Sequence, residues 1–278
     1  MEKEELTKSM RWRIADYMAE ERLEEINLEL DDVKVRDTFY TRYIKRVFDI
    51  VISLIACIVT LPLNILLGIG TLIDVGFPLF FTQERLGKNG KVFHIIKFRN
   101  MHNTVDERGE LLPTEKRVTK FGKFVRKTSL DELLNFWNIL KGDMSLIGPR
   151  PLVPEYYHRY NKRHIMRLAV RPGLECPLLK TNGHVWTWDE QFENDVWYVE
   201  NVSFLTDCRM LLGLVRFAMD RKSAKARAVS ARGTFMGYDE NGKAINMDDV
   251  PQVYIDKVAS EMDGTEEFIL DKCERVAG

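Results

Sequence analysis

The stretch that decides the fold is Ile50–Ile73, which reads IVISLIACIVTLPLNILLGIGTLI and contains no charged residue. As a straight helix, these 24 residues would extend roughly 36 Å, which is enough to cross the hydrocarbon core of a bilayer. About 45 mostly polar residues precede the stretch and no small-residue cleavage site follows it, which excludes a signal peptide. The sequence therefore predicts a membrane segment in the first third of the chain.

Two features disfavour a simple transmembrane span. Pro62 lacks a backbone donor and its ring clashes with the carbonyl of Ile58, so the helix is expected to kink or break there. Both flanks are basic, with Arg42, Lys45 and Arg46 before the stretch and Arg85, Lys88 and Lys91 after it. Because basic residues favour the cytoplasmic side, such flanks suit a re-entrant helix that enters and leaves by one face. A single kinked transmembrane helix and a buried core helix stay open as alternatives.

Charge is unevenly distributed, although the net formal charge is only −1. Residues 82–130 include 12 basic and 5 acidic residues. Residues 2–36 include 7 basic and 11 acidic residues, and residues 239–278 include 4 basic and 11 acidic residues. A basic middle suits phosphate groups, anionic lipid or nucleic acid, and a solvated face is the alternative. The four cysteines are far apart and form no CxxC pair, which disfavours a zinc site or a disulfide framework and fits a reducing compartment.

The rest of the chain predicts a mostly helical α+β domain that contains one β-hairpin. Two β-rich runs flank a turn at Lys88-Asn-Gly90, which is typical of a hairpin. Helical patterns cover residues 130–140, 156–168, 188–198 and 207–219, and the last suits either a membrane surface or a core. Gly142 follows the first of these helices where a C-terminal cap belongs. The predicted organisation is a charged extension (1–40) with an apolar stripe at Ile14, Met18 and Leu23, a membrane helix (41–78), a main domain (79–222) and a loosely docked tail (223–278).

Two adjacent carboxylates, Asp131 and Glu132, stand where the helix over residues 130–140 should begin. Ser129 and Glu132 have the spacing of a capping box, in which each side chain bonds the other residue's backbone amide. That interpretation leaves Asp131 unexplained. Lys123, Arg126 and Lys127 precede it, and positive neighbours favour an ionised carboxylate that is able to attack phosphorus. From spacing alone, a structural cap and a reactive site both stay open.

A stiff turn, Gly148-Pro149-Arg150-Pro151, follows that helix. Two prolines fix the backbone on either side of the arginine, so its guanidinium is presented from a rigid loop. Such a group suits a phosphate or a planar base, and an exposed arginine on a rigid turn is the alternative. The chain contains no GxGxxG, P-loop, HExxH or GxSxG pattern, so these common nucleotide, metalloprotease and hydrolase motifs give no support to other classes.

Taken together, these stretches resemble the bacterial sugar transferase family, the monotopic phosphoglycosyl transferases that act on polyprenyl phosphate. The matching motifs lie in the family's order over roughly residues 41–220. They are Lys45-Arg46-Val-Phe-Asp49, Gln83-Glu-Arg85-Leu-Gly87-Lys-Asn-Gly90, Lys97-Phe-Arg99-Asn-Met101, Gly122 with Arg126, Ser129-Leu-Asp131-Glu132-Leu with Asn138, Gly142-Asp-Met144-Ser145-Leu-Ile-Gly148-Pro149-Arg150-Pro151, Arg171-Pro172-Gly173 and Asp195-Val-Trp-Tyr198.

The resemblance implies a small α+β domain that is anchored by a re-entrant helix broken at Pro62 and by amphipathic helices at the interface. It implies a location on the cytoplasmic face of the bacterial inner membrane, within the inner leaflet, with Lys45, Arg46 and Asp49 at the start of the anchor. The implied reaction transfers a phosphosugar from a UDP-sugar to polyprenyl (undecaprenyl) phosphate and releases UMP. This would be the first membrane step of surface glycan assembly.

The resemblance also implies roles for residues. Asp131 corresponds to the nucleophile that forms a covalent phosphosugar intermediate, and Glu132 assists with Mg²⁺ or proton handling, both carboxylates being expected near the metal. Arg126 is expected on phosphate. The loop Pro149-Arg150-Pro151 is expected near the nucleotide, together with His184.

Three positions depart from the family's usual pattern. Leu61 precedes the proline where a serine is common, His184 follows Gly183 where an arginine is common, and the segment CPLLKTN replaces a Gly-Trp-Ala-Gln pattern. These departures leave the sugar and the activity on common substrates open. Two other functions therefore remain, a non-catalytic membrane adaptor that binds anionic lipid through the basic patch and an enzyme relic with a regulatory role. A homodimer is a further expectation, and nucleic acid is not, because the basic patch lacks any recognised binding motif.

Overall fold

The computed structural model describes residue 3 and residues 6–105, 112, 114–176, 186–219 and 232–261. The α-helices are α1 (Lys8–Glu29), α2 (Lys45–Val75), α3 (Thr114–Arg117), α4 (Lys120–Lys127), α5 (Asn135–Lys141), α6 (Trp188–Asn201) and α7 (Phe204–Met219). The strands are β1 (Phe80–Leu86), β2 (Val92–Phe98), β3 (Ser145–Ile147), β4 (Gly173–Glu175), β5 (Gly237–Tyr238) and β6 (Ala244–Ile245). A π-helical turn, Tyr40–Ile44, leads into α2, and residues 252–261 are helical. This mixture of helix and strand agrees with the predicted class.

The apolar stretch forms one long helix. The turn Tyr40–Ile44 and α2 together make a 36-residue helix, Tyr40–Val75, that is long and apolar enough to cross a membrane. Pro62 lies inside this helix, and helical structure continues on both sides of it. The expected break at Pro62 is thus not an interruption of the helix. The large apolar side chains in its middle are exposed, as Ile58 and Val59 illustrate.

Both ends of α2 are fastened to the same domain. Near its start, Asp49 is buried, and Ser145 Oγ in β3 donates a hydrogen bond to Asp49 Oδ1 at 3.0 Å. Near its end, Leu67 packs into a cluster with residues of β2 and α4, and Thr119 Oγ1 donates to Asp74 Oδ2 at 2.5 Å. The two ends are therefore held by polar contacts while the middle of the helix is left free.

Asp207 in α7 organises the contacts at the start of α2. Lys45 Nζ donates to Asp207 Oδ2 at 2.6 Å and to the carbonyl of Ile147 at 3.0 Å. The hydroxyls of Tyr40 and Tyr198 also donate to this carboxylate, each at 2.6 Å. One carboxylate thus joins α2, α6 and α7 around the end of β3.

The C-terminus of α5 is closed by Arg46 and Gly142. The two Nη atoms of Arg46 donate to the carbonyls of Ile139 and Leu140, at 2.6 and 2.7 Å. These carbonyls belong to the last turn of a helix, where backbone acceptors lack partners and a cation is favoured. Gly142 adopts φ 97°, which makes it the left-handed cap that the sequence predicted.

The predicted hairpin is confirmed. β1 and β2 pair antiparallel, with Phe80 opposite Phe98 and Leu86 opposite Val92. Asn89 has φ 57° in the connecting turn, a conformation that asparagine tolerates better than most residues. The hairpin carries Lys97 on β2 towards the residues that follow α4, as described below.

Two short parallel strands bring two predicted turns together. β3 and β4 pair with Ser145 opposite Gly173. A Cβ added to Gly148 would lie 2.5 Å from the carbonyl oxygen of Arg171, so only glycine allows this approach. The Gly-Pro-Arg-Pro loop therefore packs directly on the Arg-Pro-Gly turn.

Several predicted helices differ from the structure. The pattern over residues 130–140 becomes a single 3₁₀ turn, Leu130–Glu132, followed by α5, and the pattern over 156–168 becomes two 3₁₀ helices, Pro154–Arg159 and His164–Ala169. The helices predicted over residues 188–198 and 207–219 are confirmed as α6 and α7.

The N-terminal extension and the described part of the tail pack against each other. Ile14 and Met18 of the predicted stripe are fully buried, and they contact Met236, Tyr254 and other residues of 232–261. An aromatic cluster around Phe235, which includes Tyr156, Tyr160, Trp188 and Phe192, joins this unit to the main domain. The expectation of a loosely docked tail is therefore wrong for residues 232–261, because the apolar face of α1 and the tail bury one another.

Candidate active site

The chain turns sharply between α4 and α5, at the predicted site. Ser129 adopts the left-handed conformation, with φ 56° and ψ 24°, and its side chain makes no capping bond. The capping box expected from the Ser129–Glu132 spacing is thus wrong, because a left-handed residue does not present its hydroxyl to the following amides. A non-glycine residue held at positive φ is costly and is often found at functional sites.

Glu132 is bound by two cations instead of by its own backbone. Its Oε1 accepts a hydrogen bond from Lys97 Nζ at 2.9 Å and from Arg150 Nη2 at 2.7 Å. Arg150 also reaches Glu175 Oε2 on β4, at 3.2 Å from Nη1. The arginine of the Pro-Arg-Pro loop is therefore held between two carboxylates.

These contacts set the protonation of the pair. Burial raises the pKa of Glu132, but the charges of Arg150 and Lys97 outweigh it and lower the pKa to about 2. The same pairing with Glu132 raises the pKa of Arg150. Glu132 is consequently ionised at every pH at which the protein would work.

Asp131 lies in a different environment although it is the next residue. Its side chain is only 10% exposed, and its Oδ2 is 3.9 Å from Lys97 Nζ, too far for a hydrogen bond. Burial raises the pKa of Asp131, and the charge of Lys97 opposes this effect. The basic neighbours do favour the ionised form, as expected, because Lys97 and Arg126 lower the pKa of Asp131, but the loss of hydration outweighs them and the net shift is upward.

Arg126 occupies the last turn of α4, close enough for its charge to lower the pKa of Asp131 slightly. Its Nε donates to Asn100 Oδ1 at 2.9 Å, and Asn100 is buried. Burial lowers the pKa of Arg126, which nevertheless remains a cation at neutral pH. The predicted phosphate ligand is therefore anchored through Nε, and its Nη2 lies 4.0 Å from the sulfur of Met101.

The two prolines of the loop have different positions. Pro149 is buried, and its carbonyl accepts a hydrogen bond from the amide of Gly173 at 3.0 Å. Pro151 lines the same pocket as Glu132, Lys97 and Arg150. Pro149 supports the loop from behind, whereas Pro151 forms part of the pocket wall.

A buried ion pair fixes the backbone of this loop. Arg167 Nη2 donates to the carbonyl of Arg150 at 2.8 Å and to Asp195 Oδ2 at 2.7 Å. Both Arg167 and Asp195 are almost completely buried. A buried pair that is fully bonded is costly to disturb, so the position of Arg150 is set from the interior of the domain.

The comparison with known proteins identifies the family. A family model described as bacterial sugar transferase matches residues 40–221. The chain belongs to the bacterial sugar transferase family. This membership confirms the resemblance that the ordered motifs indicated. The residues of α1 and of the segment 232–261 lie outside the matched range.

Curated relatives of this sugar transferase are named for related reactions. The chain is 39% identical to an uncharacterised sugar transferase, EpsL, of Bacillus subtilis (strain 168) over 173 residues, which cover 62% of this chain and 86% of that protein. It is 34% identical to an undecaprenyl-phosphate galactose phosphotransferase of Salmonella typhimurium over 201 residues, 66% of this chain and 42% of the relative. It is 33% identical to an Aeromonas hydrophila transferase named for UDP-N-acetylgalactosamine and undecaprenyl phosphate, over 63% of this chain and 43% of the relative. The chain thus spans less than half the length of these last two proteins.

The structure brings most of the predicted site residues of this sugar transferase together. Asp131, Glu132 and Arg150 meet around Lys97, and Arg126 is close to Asp131. His184 lies outside the described residues. Lys45, Arg46, Asp49 and Pro62 lie in α2 and not at the pocket.

Sequence reasoning gave no role to Lys97 and Glu175, which bind the site's charged groups. Lys97 belongs to the quoted Lys97-Phe-Arg99 motif, and it points towards Glu132 from β2. The signal available in the sequence was that Lys97 lies in a strand of the predicted hairpin. Glu175 lies two residues after the Arg-Pro-Gly turn, but only the pairing of β3 with β4 places it beside Arg150.

The two carboxylates fit the predicted Mg²⁺. Among the described residues there is no group of three or more histidine, cysteine or carboxylate side chains that would hold a metal alone. Mg²⁺ commonly takes one or two carboxylates and completes its shell with water and substrate phosphates. Asp131, which has no hydrogen-bonded cation, and the second oxygen of Glu132 are suitable donors of this kind.

Proposed function

We propose that this chain transfers a sugar phosphate from a UDP-sugar to a polyprenyl phosphate such as undecaprenyl phosphate, through a covalent intermediate on Asp131. The names of the Salmonella and Aeromonas relatives support the acceptor and the class of donor. The observation that carries the proposal is the contrast between the two neighbouring carboxylates. Among the described residues, two cations form hydrogen bonds with Glu132, whereas none forms one with the buried Asp131.

The first half-reaction forms one bond and breaks one. A carboxylate oxygen of Asp131 attacks the phosphorus that bears the sugar, and the bond from that phosphorus to the bridging oxygen breaks. The electron pair leaves with UMP. Because burial removes water from the carboxylate and raises its pKa, the ionised form is a stronger nucleophile than a solvated aspartate.

The second half-reaction returns the enzyme to its starting state. A phosphate oxygen of the polyprenyl phosphate attacks the same phosphorus, and the bond to the Asp131 oxygen breaks. The products are the polyprenyl diphosphate sugar and a free carboxylate. Two sequential displacements at one residue give ping-pong kinetics.

Basic groups around the pocket would bind the phosphates. Lys97 stands between the two carboxylates, and Arg150 is fixed from the interior through Arg167. Arg126, which Asn100 holds through Nε, adds a cation whose charge acts on Asp131. Fixed donors of this kind stabilise charge that develops on phosphate oxygens. Mg²⁺, held by Asp131 and Glu132, would neutralise further phosphate charge.

The geometry of α2 supports a re-entrant anchor with the domain on the cytoplasmic face. Asp49 and Asp74 are 25 positions apart, or roughly 37 Å along a straight helix. Both bond to the same domain, at Ser145 and at Thr119. If α2 crossed the bilayer, these two contacts would lie on opposite faces of a core roughly 30 Å thick. A helix that enters and leaves one leaflet satisfies both contacts, and its basic flanks support the cytoplasmic leaflet, because basic residues favour that side.

The start of α7 supports an interfacial location for a second helix. Phe204, Leu205, Leu211 and Leu212 are exposed, and the ring of Phe204 contacts that of Phe48 in α2 at a centroid distance of 5.7 Å. Apolar side chains that are exposed beside a membrane helix suit the headgroup boundary. The predicted homodimer stays a prediction.

Trapping of the intermediate tests the proposed function. Full-length protein in detergent is mixed with a UDP-sugar labelled at the β-phosphate, without acceptor, and is quenched in acid. A panel of UDP-glucose, UDP-galactose and their N-acetylamino forms covers the open choice of sugar. The wild type should retain label that hydroxylamine releases, because an acyl phosphate is labile to this nucleophile. Asp131→Asn should retain none.

Asp143→Asn is the matched control, since Asp143 pairs with Lys141 at the surface of the same region. It should be labelled as the wild type is. Equal labelling of Asp131→Asn would show that another residue is the nucleophile. A wild type that takes no label from any donor would favour the non-catalytic adaptor.

A further inference from the structure

A second cavity lies at the foot of α2, away from Asp131. It encloses about 620 Å³ between residues 35–43, the first turns of α2, and the chain at Ser145 and Arg171. No residue lines both this cavity and the pocket around Glu132. The family match begins at residue 40, so part of the wall comes from the segment before it.

The cavity wall has an excess of positive charge. Its cationic residues are Arg36, Arg42, Lys45, Lys88 and Arg171, and its acidic residues are Asp37 and Asp49. A cavity lined in this way concentrates anions, because its low-dielectric walls strengthen the field of the cations.

Two of the cations are already paired. Arg42 forms a bidentate ion pair with Asp37, and Lys45 forms an ion pair with Asp207 of α7. Arg36 and Lys88 have no side-chain hydrogen bond or ion pair with any residue in the described part of the chain. They are therefore the groups with charge to offer a ligand.

The remaining charged groups facing the cavity are fixed. Arg171 donates one nitrogen, Nε, to the carbonyl of Gly142 at 3.0 Å, which holds its guanidinium in place. Asp49 accepts hydrogen bonds from Ser145 Oγ and from the amide of Leu146. Its carboxylate is thus satisfied by the protein and lies at the buried end of the cavity.

An exposed apolar stripe begins at the same cavity. Tyr43 lines it, and Tyr43, Val47 and Val51 are spaced four residues apart along the helix, with exposed fractions of 59%, 59% and 48%. Residues at this spacing share one face of a helix. A ligand that joins a phosphate to a long apolar chain would match the cations with its headgroup and the stripe with its tail.

We propose that this cavity binds the phosphate headgroup of an anionic membrane lipid, with one acyl chain along Tyr43, Val47 and Val51. A free phosphate ion would use the cations but gain nothing from the stripe. The lipid assignment does not depend on the chemistry at Asp131. Binding at this site would make the stability of the protein depend on the anionic lipid content of the membrane.

Lipid titration tests the site. The full chain in dodecyl maltoside is titrated with dioleoyl phosphatidylglycerol, dioleoyl phosphatidylcholine or inorganic phosphate, and the thermal midpoint Tm is followed. Phosphatidylglycerol should raise Tm in a saturable manner, because a ligand that binds only the folded state stabilises it. Phosphatidylcholine and inorganic phosphate at the same concentrations should not.

Paired variants locate the binding. The double variant Arg36→Ala with Lys88→Ala should raise the apparent Kd for phosphatidylglycerol about tenfold or more. The control, Lys34→Ala with Lys91→Ala, removes two exposed cations from the same two segments but outside the cavity, and should change it about twofold or less. The charge-conserving pair Arg36→Lys with Lys88→Arg should bind as the wild type does, which separates charge from folding.

Three results would overturn the proposal. If both alanine pairs weakened phosphatidylglycerol binding equally, the lipid would be attracted by diffuse surface charge and not by this cavity. If phosphatidylcholine raised Tm as much as phosphatidylglycerol does, the site would not require an anionic headgroup. Equal stabilisation by inorganic phosphate would assign the cavity to a soluble ligand.

Discussion

Neutralising Glu132 should destabilise the fold by an amount that depends on pH. In the folded protein its carboxylate lies between Lys97 and Arg150, at 2.9 and 2.7 Å. Glu132→Gln keeps the shape of the side chain but removes the charge that both cations contact, so that, among the described residues, Arg150 keeps only Glu175 and Lys97 only the more distant Asp131. Glutamine resembles protonated glutamate, so the variant behaves as the wild type would once Glu132 is titrated.

The magnitude follows from the pKa. Folding lowers the pKa of Glu132 from 4.5 to about 2, which corresponds to about 3 kcal/mol of stabilisation at neutral pH. A carboxylate with a lowered pKa stabilises the fold fully above its unfolded pKa and loses that contribution as pH falls towards its folded pKa. At pH 3, about 2 kcal/mol of the effect should be gone.

Urea unfolding in detergent micelles, followed by tryptophan fluorescence, measures this difference. The free energy of unfolding of Glu132→Gln should be about 3 kcal/mol below that of the wild type at pH 7 and about 1 kcal/mol below it at pH 3. Subtracting the two proteins at each pH cancels the titration of every other carboxylate.

Glu84→Gln is the control, because Glu84 is exposed on β1 and its carboxylate has one ion-pair partner among the described residues, His94 at 3.5 Å. It should change stability by about 0.5 kcal/mol or less at either pH. A Glu132→Gln deficit that stays constant between pH 7 and pH 3 would refute the electrostatic account. So would a deficit as small as that of the control.

Further outcomes follow from other contacts. Because burial raises the pKa of Asp131, the rate of intermediate formation should rise with pH through a midpoint above the usual value for aspartate, near 4, and an acid limb at or below that value would contradict this environment. Gly148→Ala should lower Tm and activity together, since its Cβ would lie 2.5 Å from the backbone of Arg171; an unchanged Tm would be the contrary result. Phe235→Ala should cost about 3–5 kcal/mol in the unfolding free energy, and a loss below about 1 kcal/mol would show that the tail is only weakly docked. Chelation of divalent cations should abolish labelling of the wild type and Mg²⁺ should restore it, and labelling that persists in chelator would remove the metal from the reaction.

Local signals predicted the elements whose formation depends on nearby residues. The hairpin follows from β-rich runs around Asn89-Gly90, and the end of α5 from Gly142, because a turn or a left-handed cap is a property of a few adjacent residues. The membrane helix follows from the uncharged stretch itself. Helical structure continues through Pro62, because a proline removes one donor, which a long helix tolerates at the loss of a single bond. The kink expected at this residue stays a prediction.

Site residues were predicted better than their environments. The resemblance assigned Asp131, Glu132 and Arg150 to the site, and the structure places Glu132 and Arg150 in contact. The capping box was wrong because Ser129 is left-handed, and the upward net shift in the pKa of Asp131 was missed because it depends on burial, which only the folded chain sets. Lys97 reaches Glu132 only through the pairing of the hairpin with the chain after α4.

By itself, the sequence determined the anchor, the hairpin and the carboxylate pair, because each is encoded in one continuous stretch. Tertiary structure alone decided that, within the described residues, Glu132 is paired with two cations while the buried Asp131 forms a hydrogen bond with none. It also decided that α1 covers residues 232–261 and that a basic cavity opens at the foot of α2. Burial and charge pairing arise from segments that meet only on folding, so no single stretch contains them.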